Sequence, residues 1–227
     1  MRIALIALSC LVPLLVSPPG RSAAADVDGG PLVAGLRDVN RDGKLEILCF
    51  GDSVTKGSGR GTYPGMLRRL LENRAQVTNQ GIFGERTVEG RVRLLKLLAN
   101  DHFDYVLVLE GINDRCKPDV DTAGNLRQMI TDVRASGAVP LVGTLFAWSE
   151  KGTGADRSCL PATNAAIREL PATTLEFAKL IENRWSELLL DELHPNTRGY
   201  TVLANEAFRA LHVASDAMAA SGSAGAR

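Results

Sequence analysis

The stretch Leu45–Gly57, Leu-Glu-Ile-Leu-Cys-Phe-Gly-Asp-Ser-Val-Thr-Lys-Gly, decides how the rest of the chain is interpreted. Its first half is a short apolar run rich in strand-forming residues, and its second half changes to glycine, aspartate, serine and threonine. This pattern predicts a strand that ends by presenting Ser53 on a loop. Because ligands and reacting groups collect at the carboxyl ends of strands in open α/β sheets, Ser53 is a candidate nucleophile.

Strand and helix patterns alternate along the rest of the chain. Further strands are predicted at 76–79, 105–109, 138–146 and 174–180, and helices at 63–75, 85–100, 121–136, 161–170 and 197–213. In the second helix, the residues expected to face the core are Val88, Val92, Leu95, Leu98 and Ala99. The alternation predicts an α/β fold with a flavodoxin-like parallel sheet of about five strands in the order 2-1-3-4-5, covered by helices on both faces.

Composition narrows the classes of partner. The 227 residues include 26 Lys and Arg against 26 Asp and Glu, so no net charge favours nucleic acid or an anionic membrane as the main partner. The three histidines are not spaced for a zinc site, and neither a metal nor a cofactor is predicted. The oligomeric state is left open.

The amino-terminal residues predict export. Arg2 provides a basic start, 3–16 form an apolar core, and Ser22–Ala25 offer a cleavage site of small residues. The alternative, an uncleaved membrane anchor, is disfavoured because the apolar run is short. We expect a secreted or periplasmic protein with no stable membrane insertion after cleavage. The chain then divides into a signal peptide (1–25), a surface leader (26–44), one globular domain (45–213) and a disordered tail (214–227).

The cysteines permit one disulfide hypothesis. Cys116 and Cys159 both fall in predicted loops, and export would place them in an oxidising compartment, so we hypothesise that they are bridged. Cys49 lies in the first predicted strand and is interpreted as a small buried residue.

The segment before the first strand has two interpretations. Asp38, Asn40 and Asp42 alternate ahead of Gly43, as oxygen ligands do in a calcium loop. The twelfth position of such a loop would be Cys49, which cannot supply the bidentate carboxylate. A tight Asx turn leading into the strand is therefore the favoured interpretation.

Three further loops carry polar groups that could serve Ser53. The loop at 79–87 contains Gly84 just before a helix, the loop at 111–114 contains Asn113, and the loop at 191–195 places Asp191 three residues before His194. Together with Gly51-Asp52-Ser53, these blocks resemble those of the SGNH hydrolases, also called GDSL esterases and lipases. The resemblance covers about 45–210 and implies the family's three-layer α/β/α sandwich.

The resemblance implies a role for each of these residues. Ser53 would be the nucleophile, His194 the general base and Asp191 the acid that orients it. The oxyanion hole would be formed by the backbone N–H groups of Ser53 and Gly84 and the side-chain amide of Asn113. Gly81 competes with Gly84, which is preferred because family members place this donor just before the polar start of the helix.

These expectations identify the chain as an exported carboxylic ester hydrolase without a cofactor. An α/β-hydrolase is disfavoured because no Gly-x-Ser-x-Gly motif occurs. Short or water-soluble acyl esters are the favoured substrates, since no long apolar lid segment is present; a carbohydrate O-acetyl esterase and a non-catalytic, calcium-loaded binding domain are the alternatives. Phe83 and Trp148 are expected either to line the substrate cleft or to cover the sheet edge, and Glu110 to bond neighbouring backbone or to steer a polar substrate.

Overall fold

The structure is a computed structural model that describes residues 31–33, 35–58, 61–147 and 156–224. Trp148 and the predicted signal peptide at 1–25 lie outside this part of the chain. Within it, no helix combines the length and apolarity that crossing a membrane requires.

A five-stranded parallel sheet forms the centre of the protein. A short antiparallel pair, β1 (Pro31–Val33) and β2 (Leu36–Arg37), precedes it. The sheet strands are β3 (Glu46–Gly51), β4 (Gln76–Gly81), β5 (Tyr105–Leu109), β6 (Val139–Gly143) and β7 (Thr173–Leu175). Their spatial order is β4-β3-β5-β6-β7, which confirms the predicted 2-1-3-4-5 order. All five residues of β5 are buried, as expected for a strand covered on both faces.

Helices cover both faces of this sheet. They are α1 (Ser53–Lys56), α2 (Tyr63–Leu70), α3 (Thr87–Asn100), the 3-10 helix η1 (Ile112–Asp114), α4 (Thr122–Ala135), α5 (Leu160–Arg168), α6 (Phe177–Ile181), α7 (Trp185–Leu188) and α8 (Thr197–Ala224). Helices α3 and α4 pack together against one face, while α2 and α8 pack together against the other. The predicted three-layer α/β/α sandwich is confirmed.

The predicted fifth strand was too long. Strand β7 ends at Leu175, and Phe177–Ile181 is helical. The side chain of Phe177 is fully buried beside Gly143, where an added Cβ would lie 3.0 Å from the Phe177 ring. The Ala178 N–H donates to the Thr144 hydroxyl. Tertiary contacts therefore turn this apolar segment away from the sheet, although its composition also suits a strand.

The predicted orientation of α3 was wrong for four of the five residues expected to face the core, because Ala99 is exposed as well as the three large side chains that follow. Val88, Val92 and Leu95 have 50%, 57% and 55% of their surface exposed, whereas Leu94 is fully buried. Gly90 faces inward, and a Cβ there would come within 3.2 Å of the Met129 side chain. The close approach of α3 to α4 at this glycine fixes which of the helix's two apolar faces is buried.

Both ends of the described chain are more ordered than expected. Leu36, assigned to a surface leader, is fully buried in β2. The last helix runs to Ala224 and does not end at Val213, so the prediction of a disordered tail was wrong for 214–224. Ser215 is buried, and its hydroxyl donates to the Gly35 carbonyl. The segment just before β2 and the end of α8 therefore stabilise each other through a contact between residues 180 positions apart.

The loop after β2 is an Asx turn. The Asp38 carboxylate accepts hydrogen bonds from the backbone N–H groups of Arg41, Asp42 and Gly43. The Asp42 carboxylate accepts the Lys44 N–H in the same way. The favoured turn interpretation is confirmed by these bonds, which satisfy the backbone donors that the turn leaves free.

Candidate active site

Ser53 lies at the point where β3 gives way to α1. The close packing of β3 on β5 requires glycine at position 51, because a Cβ there would come within 2.0 Å of the Leu109 carbonyl oxygen. The Asp52 carboxylate then accepts the Val54 N–H at 2.8 Å and caps the short helix. Ser53 is thereby held at the carboxyl edge of the sheet with only 5% of its surface exposed.

Asp191 and His194 lie on a tight loop closed by a β-bridge between Leu189 and Pro195. One oxygen of the Asp191 carboxylate accepts the backbone N–H groups of Leu193 and His194, at 2.8 and 2.7 Å. Partial burial raises the pKa of Asp191, but these two bonds, together with the hydrogen bond and charge of the His194 side chain, outweigh it and hold the pKa below its ordinary value. The loop therefore presents an ionised carboxylate to the imidazole.

The three side chains form one hydrogen-bonded series. The Ser53 hydroxyl oxygen lies 2.9 Å from His194 Nε2, and His194 Nδ1 lies 2.9 Å from Asp191 Oδ2. Since an ionised carboxylate only accepts hydrogen bonds, Nδ1 carries the proton and Nε2 is left to accept the proton of the serine hydroxyl. The arrangement can remove a proton from Ser53.

Asn113 lies in η1, which is anchored through its neighbour Asp114. The buried Asp114 carboxylate accepts hydrogen bonds from the Thr87 N–H, the Thr87 hydroxyl and the Thr122 hydroxyl, which tie the loop after β5 to the first residues of α3 and α4. The Asn113 amide donates to the Glu85 carbonyl at 2.9 Å. These bonds fix the position of the carboxamide at the edge of the site.

The structure distinguishes the two glycines considered as the backbone N–H donor, Gly84 and Gly81. Gly84 lines the cavity beside Ser53, and its φ of +73° lies in the left-handed region that favours glycine. Gly81 instead packs against α1, where an added Cβ would come within 2.0 Å of the Lys56 nitrogen. Close packing therefore accounts for Gly81, and Gly84 is the glycine that can direct a backbone N–H at a ligand.

A cavity of about 400 Å³ unites these groups. It is lined by Ser53, Phe83, Gly84, Asn113, Arg115, Arg157, Asp191, Glu192, Leu193 and His194. Every residue predicted for the nucleophile, base, acid and oxyanion hole lies on it. Phe83 also lines it, with 65% of its surface exposed, whereas Trp148 lies outside the described residues.

Buried acidic groups lie near Ser53. Glu110 has none of its surface exposed, and one of its oxygens accepts the Gly111 N–H at 3.3 Å, as the backbone-bonding interpretation predicted. Burial raises the pKa of Glu110 well above its ordinary value, and the negative charges of Asp52 and Glu85 add to the shift. Burial likewise raises the pKa of Asp52 to about 7. The buried Glu85 forms a direct ion pair with Arg93.

Sequence reasoning missed Arg115, Arg157 and Glu192 as cavity residues. Arg115 and Glu192 adjoin recognised motifs, so proximity in sequence was a usable signal for both. Arg157 had only one weak signal, its position two residues before Cys159. The predicted bridge between Cys116 and Cys159 is present, with 5.5 Å between the Cα atoms, and it brings Arg157 to the cavity.

Comparison with known proteins assigns the family. The model of the GDSL-like lipase/acylhydrolase family matches residues 49–202, which is most of the chain. The protein belongs to this family. The match confirms the resemblance inferred from the four sequence blocks, and the matched residues include Ser53, Gly84, Asn113 and His194.

Similar proteins of this family are known from several organisms. The thioesterase 1/protease 1/lysophospholipase L1 of Escherichia coli K12 is 33% identical over 101 residues, which are 42% of this chain and 49% of that protein. The chain thus spans about half the length of this curated relative.

Solved structures share the fold. A lipolytic G-D-S-L protein from Veillonella parvula has a TM-score of 0.60 at 23% identity, covering 73% of this chain and 97% of that one. An acetylxylan esterase from Geobacillus stearothermophilus has a TM-score of 0.61 at 17% identity, covering 74% and 94%. At these identities the likeness shows the fold alone.

Proposed function

We propose that this protein is an exported serine esterase that hydrolyses short or water-soluble acyl esters. The observation that carries the proposal is the hydrogen-bonded series from Ser53 through His194 to Asp191, which opens onto the cavity that Gly84 and Asn113 line. The Ser53 oxygen attacks the ester carbonyl while His194 Nε2 takes its proton. His194 then returns the proton to the leaving alcohol, and water releases the acyl group by the same steps in reverse.

The negative oxygen formed during attack is bound by three donors. These are the backbone N–H groups of Ser53 and Gly84 and the side-chain amide of Asn113. Asp191 stabilises the imidazolium and keeps its Nδ1 proton facing the carboxylate. Because these groups are held by backbone contacts before substrate arrives, little rearrangement is needed when charge develops.

The experiment that tests this mechanism is hydrolysis of p-nitrophenyl acetate by the purified protein and by the Ser53→Ala variant. We expect the wild type to be active and the variant to lose about 10⁴-fold or more in kcat, because the nucleophile is gone. Circular dichroism should show the same fold in both proteins. Retained turnover in Ser53→Ala would refute the mechanism.

A second experiment identifies which acyl group and which alcohol the enzyme prefers. A series of p-nitrophenyl esters of increasing chain length is compared with acetylated xylan and acetylated pectin. A carbohydrate O-acetyl esterase is the second candidate, because an acetylxylan esterase shares this fold. Higher kcat/KM on the polysaccharides than on every aryl ester would favour it, and a maximum on short aryl esters would favour the general esterase.

Export is supported by the sequence pattern of 1–25 and by a disulfide that requires an oxidising compartment. The test is mass spectrometry of the amino terminus of the protein recovered from the periplasm or medium of its host. We expect the chain to begin at Asp26. A protein that keeps Met1 and is found only inside the cell would contradict export.

A further inference from the structure

Two arginines line the cavity that contains Ser53. Arg115 follows η1 directly, and Arg157 reaches the same cavity from the segment before α5. Among the described residues, no carboxylate lies within 4.0 Å of either guanidinium. Arg157 donates from Nη1 to the Ile112 carbonyl, while its buried Nε has no partner in the described part of the chain.

The Cys116–Cys159 disulfide holds the backbones of these two arginines together. Arg115 is the residue before Cys116, and Arg157 lies two residues before Cys159. Arg115 has a φ of +53°, in the left-handed region that non-glycine residues rarely adopt. The loop therefore takes an unfavourable backbone conformation at a residue that lines the cavity.

The two positive charges repel each other. Burial lowers the pKa of Arg157, and the charge of Arg115 lowers it further. The charges of Glu192, on the same cavity, and of the buried Asp52 oppose this effect, and neither acid forms an ion pair with Arg157. Asp191, the other acid on the cavity, is bound to His194 and to backbone N–H groups. An anion bound between the guanidinium groups would relieve the repulsion.

We propose that Arg115 and Arg157 bind an anionic group, a carboxylate or a phosphate, that the ester substrate carries near its scissile bond. A guanidinium suits both anions because its planar N–H groups match two oxygens at once. The inference rests on the proposed esterase function and names the class of substrate that the same cavity selects. Neutral esters are hydrolysed by the same mechanism but lack this contact.

Matched ester pairs test the proposal. For an anion on the alcohol, 4-acetoxybenzoate and 4-acetoxyphenyl phosphate are compared with methyl 4-acetoxybenzoate. For an anion on the acyl group, 4-nitrophenyl hydrogen adipate is compared with its methyl ester. The measured quantity is the ratio of kcat/KM for the anionic ester to that for the neutral one. The carboxylate and phosphate arms show which anion the site prefers.

Removing a positive charge from the cavity should lower this ratio, and removing a negative charge should raise it. Arg115→Gln and Arg157→Gln should each lower the ratio about tenfold, because each removes charge-assisted hydrogen bonds. Arg157→Lys keeps the positive charge and should therefore restore part of the ratio. If Arg157 only supported the Ile112 carbonyl, the ratio would not depend on the charge of the side chain. Glu192→Gln should raise the ratio. Arg68→Gln, on the exposed side of α2, is the matched control and should leave it unchanged.

A second measurement does not depend on turnover. Calorimetry of the Ser53→Ala protein with phenyl phosphate should give binding that weakens in the Ser53→Ala, Arg115→Gln double variant and at high salt. An unchanged ratio in Arg115→Gln together with no phenyl phosphate binding overturns the proposal. Failure to hydrolyse any ester, p-nitrophenyl acetate included, refutes the esterase function itself, while binding of phenyl phosphate would still support the anion site.

Discussion

The side-chain amide of Asn113 donates a hydrogen bond to the backbone carbonyl of Glu85, with 2.9 Å between nitrogen and oxygen. One proton of the amide is thus bound to the segment that follows Gly84. Among the described residues the other proton has no partner, and in the proposed mechanism it donates to the oxyanion above Ser53. The bond ties two segments of the proposed oxyanion hole to each other. Because the oxyanion forms only during the reaction, a change at Asn113 should affect the transition state more than the bound substrate.

Asn113→Ala should lower kcat about 10²–10³-fold with little change in KM, because it removes a donor whose contact strengthens as the oxyanion forms. Steady-state kinetics on p-nitrophenyl acetate measure both constants. Asn113→Asp has nearly the same size and places a carboxylate beside the Glu85 carbonyl, so its loss should be larger still. An increase in KM at constant kcat would contradict the role.

Gly84→Ala should lower kcat and destabilise the protein by about 1 kcal/mol, because alanine is disfavoured at a φ of +73°. Apart from the two adjoining residues, no atom of the described part of the chain lies within 4 Å of the added methyl group, so the expected loss comes from backbone strain and movement of the N–H. Gly43→Ala is a matched control, with a φ of +86° and equally open space. Denaturant unfolding should show similar costs for both, and kinetics a loss only for Gly84→Ala. Equal activities would exclude Gly84 as a donor.

Removing the Cys116–Cys159 bridge, which closes a loop of 43 residues, should cost about 4 kcal/mol on the chain-entropy account. Urea unfolding of the double variant Cys116→Ser, Cys159→Ser measures this cost against the wild type. Reductant should destabilise the wild type and leave the double variant unchanged. In the mature protein, denatured without reductant, thiol titration should detect Cys49 alone; three thiols there would rule the bridge out.

Glu110→Gln should remove part of the pH dependence of stability. Burial raises the pKa of Glu110 in the folded protein well above 4.5, so the folded state keeps this proton while the unfolded state releases it as pH rises above about 4.5. Stability therefore falls with rising pH, by at most about 1.4 kcal/mol per pH unit for one proton. Glutamine keeps the acceptor for the Gly111 N–H and carries no charge.

Urea unfolding of the wild type and Glu110→Gln between pH 4.5 and pH 8 measures this difference. The variant should lose less stability than the wild type across the range. Some dependence should remain, because Asp52, whose pKa burial raises to about 7, is unchanged in the variant. Parallel curves for the two proteins would mean that Glu110 is already ionised in the folded state.

Local patterns were sufficient for the sheet and for the residues around Ser53. Parallel strands covered on both faces must be short, apolar and separated by helices, so the sequence of β5 alone indicates its burial. Glycine is required where backbones touch, as at Gly51 and Gly81, and such constraints are visible in sequence as motifs. The order of these motifs placed Ser53, Asn113 and His194 at one edge of the sheet before any contact was known.

Side-chain direction on α3 and the ends of the chain could not be predicted in the same way. Helix α3 has two apolar faces, and a periodic pattern does not indicate which one is buried; the contact of Gly90 with α4 decides this. Small residues after Val213 suit both a disordered tail and a helix, and the bond from Ser215 to Gly35 supports the helix.

The sequence by itself therefore determined the family, the sheet order and the groups that could carry out ester hydrolysis, because each depends on local composition and on motif order along the chain. Only the tertiary structure decided what else faces Ser53. Arg157 is 104 residues from Ser53, and its place at the cavity depends on how α5 packs and on a disulfide between two loops. The proposed selection of anionic esters follows from that long-range contact, which local sequence patterns do not encode.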